Sequence, residues 1–152
     1  MDINRMQDKI IAEFEHLAAA VNKFSYFRHL KHVSNGTGAM EAADKNDQNL
    51  VAGCSKKVWV TAYKEDGRIY FKADSDHSIT RGLVNLLLKV YSGHTVSTIT
   101  NTDLYFLHEI KLFQYLSASW MRDFLSVVQR IKSLAIVQHL DTGQINKIPQ
   151  TS

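Results

Sequence analysis

The chain has 152 residues and one cysteine, Cys54, in the stretch GCSKKVWV from Gly53 to Val60. A free cysteine is most often a small buried hydrophobe. Here the neighbours point to a second use. Gly53 permits a backbone turn that a β-branched residue would resist, and a loop position favours exposure. Lys56 and Lys57 would favour the thiolate, which is the nucleophilic form, by direct charge stabilisation. Hydrolysis through Cys54 would need a general base, and His77, across the hairpin from it, is the candidate. His77 also fits, and fits better, as a polar residue in a helix cap. Metal chemistry is poorly served, since one thiol cannot build a Cys₄ or Cys₂His₂ site. His29 and His32 stand three apart on an expected helix, with no carboxylate or cysteine partner near them, and read as surface residues. The HEIK stretch at His108–Lys111 lacks the second histidine of a zincin motif. Thiol–sulfur exchange asks for less: one exposed thiolate and a partner that brings the sulfur. A single cysteine suits a carrier that keeps the sulfur as a persulfide, whereas a disulfide reductase would want a resolving thiol.

Composition sets the frame for that chemistry. A hydrophobic content of 45% and a charged content of 22% are those of an ordinary globule. The length suits one domain with its own core, expected over residues 1–140, with a loosely held tail over 141–152. One cysteine forms no internal disulfide, so a cytoplasmic home is expected. The start of the chain, MDINRMQDKIIAEFEHL, mixes charge with apolar residues and lacks the apolar core of a signal peptide. No segment approaches the roughly 18 apolar residues of a membrane span. The net charge of +3 invites nucleic acid, but residues 1–76 hold 11 basic and 11 acidic side chains. The excess is scattered over Arg81, Lys89, Lys111, Arg122, Arg130, Lys132 and Lys147 without a run. Neither nucleic acid nor membrane is an expected partner.

Periodicity places Cys54 among the elements. Ile3, Met6, Ile10, Phe14 and Leu17 form a helical stripe, and Val21–Val33 repeats it through Phe24, Phe27 and Leu30. Ser34–Asp47 loses the period and reads as a loop. Val58–Tyr63 and Arg68–Ala73 alternate around a Glu65–Gly67 turn, which is a β-hairpin. Leu50–Ala52 is close enough to add a third antiparallel strand, leaving Cys54 in the connection. Asp74–Ser78 supplies capping residues for a helix with Ile79, Leu83, Leu86, Leu87 and Val90 on one side, ended near Gly93. Shorter helices are expected around Val96–Thr98 and Asp103–Lys111. A long one, opened by Ser117, is expected from Ala118 to Val137. The order describes an α+β domain with a small antiparallel sheet packed by helices.

Two stretches carry a more specific likeness. KNDQNLVAGCSKKVWV (Lys45–Val60) and FKADSDHSITRGLVNLLLKVYSG (Phe71–Gly93) strongly resemble the SufE family of sulfur acceptors, which includes CsdE. The matching elements are Lys45, Asn49 and Val51 ahead of Gly53-Cys54, then Val58-Trp59, Asp74-Ser75-Asp76 and Gly82-Leu83. The LSAS stretch (Leu116–Ser119) resembles the opening of the family's last helix. The resemblance implies a small curved antiparallel sheet packed by helices, shared with IscU-type scaffolds. It implies that Cys54 accepts persulfide sulfur from a cysteine desulfurase of the SufS or CsdA type. The protein would thereby stimulate that enzyme and deliver the sulfur for iron–sulfur cluster assembly. Pyridoxal phosphate would belong to the desulfurase and this chain would hold no cofactor or metal. Gly53, Ser55, Lys56 and Lys57 would shape and charge the loop; Asp74 and Asp76 would cap the next helix and face the partner. Two other readings stay open: a cysteine-dependent enzyme pairing Cys54 with His77, and a desulfurase-binding module without sulfur transfer. The chain departs from the family at Lys56, usually a small polar residue, and at Trp120, usually arginine. Asp123 stands in place of a usual glycine and His108 in place of a frequent acid, and the Leu-Pro of the N-terminal loop is missing.

Overall fold

A computed structural model describes residues 2–18, 28–32, 40–110 and 117–141. They form helix α1 (Ile3–Ala18), strands β1 (Val58–Glu65) and β2 (Arg68–Ser75), and helices α2 (Ser78–Tyr91), α3 (Val96–Asn101), α4 (Phe106–Glu109) and α5 (Ala118–Asp141). Residues 28–32 are also helical. The architecture is α+β, as the alternation of periods predicts. Most of Val21–Val33, the Ser34–Ala39 part of the expected loop, Lys111 and residues 142–152 lie outside the described residues.

The hairpin forms where β-branched and aromatic residues alternate. Val58, Val60, Ile69, Phe71 and Ala73 are buried, while Tyr63 and Tyr70 stack on the other face with centroids 5.3 Å apart. The register pairs Val58 with Ser75 and Glu65 with Arg68. Asp66 and Gly67 close it in left-handed conformations, φ 52° and 77°, the two-residue turn whose twist suits paired strands. Helix α2 packs on β2 and α5 on β1, with α1 against α2.

Among the described residues the sheet has two strands, and the expected third strand at Leu50–Ala52 does not form. Leu50 makes a single bridge to Trp59, and the Val51 N–H donates to the Val58 carbonyl at 2.8 Å. The ladder stops there because the chain coils into a 3₁₀ turn at Asp47–Asn49 just before it and turns away at residue 52. A second 3₁₀ turn, Ala42–Asp44, occupies part of the segment read as loop.

The helices bury the stripes that the spacing predicts. Ile3, Ile10 and Phe14 of α1 join Leu83, Leu86, Leu87 and Val90 of α2 in one core cluster. Helix α4 is shorter than Asp103–Lys111 because a buried glutamine intervenes. Gln7, fully buried, donates to the Asp103 carbonyl at 3.0 Å and accepts from the Phe106 N–H at 3.2 Å. Ser117 opens α5 as expected, accepting from the Trp120 N–H at 3.3 Å, and the helix runs on past Val137 to Asp141. At the head of α2 the cap is His77, not Asp74 or Asp76: its side chain accepts from the Thr80 N–H. Among the described residues no helix is long and apolar enough to cross a membrane.

Candidate functional site

Cys54 sits on a loop, residues 52–57, closed at its base by the Val51–Val58 hydrogen bond. Gly53 takes φ +86°, and a Cβ there would lie 3.4 Å from the Ser126 hydroxyl. A left-handed glycine thus lets the loop fold down onto α5. Ser119, Asp123 and Ser126 recur at i, i+4 and i+7, so one face of α5 meets the loop. The Ser55 N–H donates to Asp123 Oδ1 at 2.9 Å, and the Ser55 hydroxyl donates to Oδ2 at 2.6 Å. The Ser55 and Ser119 hydroxyls are 3.3 Å apart. The Cys54 thiol donates to the Asp123 carbonyl, with Sγ 3.6 Å away. Beyond the loop, Ser75 Oγ donates to the Lys57 carbonyl at 2.7 Å, and Arg130 Nη2 to the Gln48 carbonyl at 3.0 Å.

The electrostatics reverse the expectation from sequence. Burial, followed by the negative charge of Asp123, pushes the Cys54 thiol up to about 11. Lys56 and Lys57 are exposed, and neither is among the charges that act on the thiol. Neighbours in sequence point into water here, while the charge of a carboxylate on the last helix acts on the thiol. In this arrangement Cys54 is half-buried and protonated at neutral pH.

Asp74 serves neither as a cap nor as an exposed charge. Its carboxylate, at the Ser75 end of β2, meets Lys45 Nζ at 2.8 Å and Arg81 Nε at 2.7 Å. Arg81 also donates to the Ser75 carbonyl through Nε and Nη2, and Lys45 lies over the Trp59 ring at 5.8 Å. Register places Asp74 opposite Trp59, at the same end of the hairpin as the thiol loop. Asp76 is exposed. Burial opposes ionisation of Asp74, but the bonds from Lys45 and the Ser75 amide and the charge of Arg81 outweigh it, holding the carboxyl below the usual carboxylate range. A lowered folded value stabilises the fold above the unfolded value, near pH 4, and that stabilisation is lost as pH falls through the folded value. Asp74→Asn is therefore expected to cost about 2 kcal/mol at pH 7. Its deficit against the wild type should shrink on acidification below about pH 4, read by urea melts across that range.

The remaining candidates separate from the thiol. His77 meets the Thr80 hydroxyl at 3.1 Å and packs against the Trp120 ring at 5.8 Å. No hydrogen bond joins it to Cys54 among the described residues. Trp120, where the resemblance leads one to expect arginine, thus ties the head of α5 to that of α2. His29 is half-buried rather than on the surface, and Glu13 does approach it, at 3.8 Å. No group of three metal-binding side chains exists among the described residues. His108 and Lys56 are exposed. The contact that sequence reasoning missed is Asp123 against the thiol loop. Its signal in the sequence is the departure from the glycine that the resemblance leads one to expect at Asp123, with nothing to say what the side chain would meet.

Fold and site together define a small α+β protein that presents a single cysteine on a short loop beside a two-stranded hairpin. The chain belongs to the SufE family, described as an Fe-S metabolism associated domain, whose sequence profile matches residues 8–135. It is 32% identical over 133 residues to an uncharacterized SufE-like protein of Rhizobium meliloti, covering 84% of this chain and 93% of that one. It is 31% identical over 138 residues to a SufE-like protein of Rhizobium etli, also uncharacterized, covering 86% and 90% of the two chains. The solution structure of a hypothetical protein from Thermus thermophilus superposes with a TM-score of 0.70 over 88% of this chain and 96% of the other. At 12% identity that likeness is one of fold.

Proposed function

We propose that this protein is a sulfur acceptor that docks on a cysteine desulfurase, takes sulfur on Cys54, and delivers it for iron–sulfur cluster assembly. The observation that carries the reading is the placement of Cys54 on a loop held to the body by side-chain hydrogen bonds to α5. Such bonds can exchange for bonds to water or a partner without unfolding the core. Pyridoxal phosphate, carried by the desulfurase, releases the sulfur from cysteine, and this chain is assigned no cofactor of its own. The chain acts as carrier and activator rather than as an enzyme, in the cytoplasm, where its thiol stays reduced.

The transfer is redox-neutral. Cys54 loses its proton, and the thiolate attacks the terminal sulfur of the desulfurase persulfide. The S–S bond in the desulfurase breaks, its cysteine leaves as a thiolate and takes up a proton, and a new S–S bond forms on Cys54. Gly53 and Ser55 set the loop's shape. The exposed Lys56, Lys57 and Asp76 offer charge to the docked partner, while Asp74 orders Lys45 and Arg81. In a test with a desulfurase charged with radiolabelled cysteine, the wild type is expected to retain label that dithiothreitol removes. Cys54→Ser should retain none. Equal labelling of both proteins would end the carrier reading.

A further inference from the structure

We propose that Asp123 is a latch: its carboxylate clasps Ser55 and shuts the Cys54 loop against α5, so that sulfur acceptance waits on release of this one side chain. The purpose of the latch rests on the sulfur-acceptor reading. Its existence rests on geometry.

Asp123 is only 6% exposed, and both of its carboxylate oxygens are used by one residue of the loop. Ser55 gives its backbone N–H to one oxygen at 2.9 Å and its hydroxyl to the other at 2.6 Å. Hydrogen bonds to an ionised acceptor are roughly twice as strong as neutral ones, so this pair is the strongest tie between loop and helix. The same residue's carbonyl accepts the thiol's hydrogen bond, which leaves the sulfur facing the helix rather than a partner. Clasp and charge act together. While the loop is shut, Asp123 both holds the thiol down and disfavours its ionisation. When the loop leaves α5, Cys54 gains water and distance from the carboxylate at once. Exposure and reactivity therefore switch together. A docking partner opens the site by supplying donors that replace Ser55 on the carboxylate. The position is one where the family resemblance leads one to expect glycine, which has no side chain to clasp with, so the latch is a property of this chain.

The test needs no desulfurase. The rate of Cys54 alkylation by iodoacetamide is measured across pH for the wild type, Asp123→Gly, Asp123→Asn and Ser55→Ala. Asp123→Gly removes clasp and charge, and should react at least about 10-fold faster at pH 8, with its pH–rate profile displaced to lower pH. Asp123→Asn keeps an oxygen for the Ser55 N–H but drops the charge, and should fall between. Ser55→Ala keeps the charge and loses one of the two bonds, and should rise less. Should Asp123→Gly not fold, the other two carry the same comparison. Wild-type rates and an unmoved profile in the folded variants would overturn the latch. Faster alkylation without any sulfur uptake from a desulfurase would instead remove the carrier reading and leave the latch standing.

Discussion

In a Cys54→Ser protein, stimulation of the desulfurase is expected to fall to the unstimulated rate while the fold survives. Serine keeps a donor for the Asp123 carbonyl, the partner of the thiol at 3.6 Å. It also occupies nearly the same half-buried volume, so stability should move by about 1 kcal/mol or less. The chemistry does not survive. A serine hydroxyl stays un-ionised at neutral pH, His77 is engaged with Thr80 at the cap of α2, and an oxygen cannot hold sulfur as a persulfide. Acceptance should drop by at least about 1,000-fold, the scale on which enzymes lose activity with their nucleophile. Sulfide released per minute, at rising concentrations of each protein, checks this. Equal stimulation by both proteins would show that docking alone activates the desulfurase.

The largest expected effect on stability lies away from the thiol. An alanine Cβ at Gly82 would collide with the Leu30 carbonyl oxygen and stand 2.7 Å from its carbon and 3.1 Å from Leu30 Cα. All three are backbone atoms, and Leu30 is itself fully buried, so no flexible side chain can yield. In an exposed helix, alanine for glycine gains about 1 kcal/mol. Here overpacking reverses the sign, and Gly82→Ala is expected to lose about 3 kcal/mol. Thermal denaturation should show Tm lower by about 10 °C. An unchanged or raised Tm would mean that α2 and the 28–32 segment can separate without cost.

Much of the architecture was legible because it is written in local periods. The stripe of α1, the alternation of the hairpin and the apolar run of α2 each describe their own burial, and the structure buries them so. The third strand was misread because Leu50–Ala52 is apolar enough to pair but too short, between a 3₁₀ turn and the thiol loop, to extend a ladder. The site was legible as a position and illegible as an environment. Gly53-Cys54 reads as a loop thiol, yet the residue that sets its state comes from 69 positions away. Lys56 and Lys57 are expected to favour the thiolate because they are adjacent in sequence, and adjacency on a loop says little about direction. Asp74 misled in the same way. Its distance from α2 suggests a cap, whereas Lys45 and Arg81 converge on it only once the hairpin has formed.

Mass spectrometry of the wild-type protein after incubation with a desulfurase and cysteine, without reductant, tests the central claim most directly. The peptide carrying Cys54 should be heavier by one sulfur atom, and should return to its unmodified mass on treatment with dithiothreitol. A Cys54 peptide of unchanged mass, from a desulfurase shown to be loaded with persulfide, would contradict the assignment of this cysteine as the sulfur acceptor.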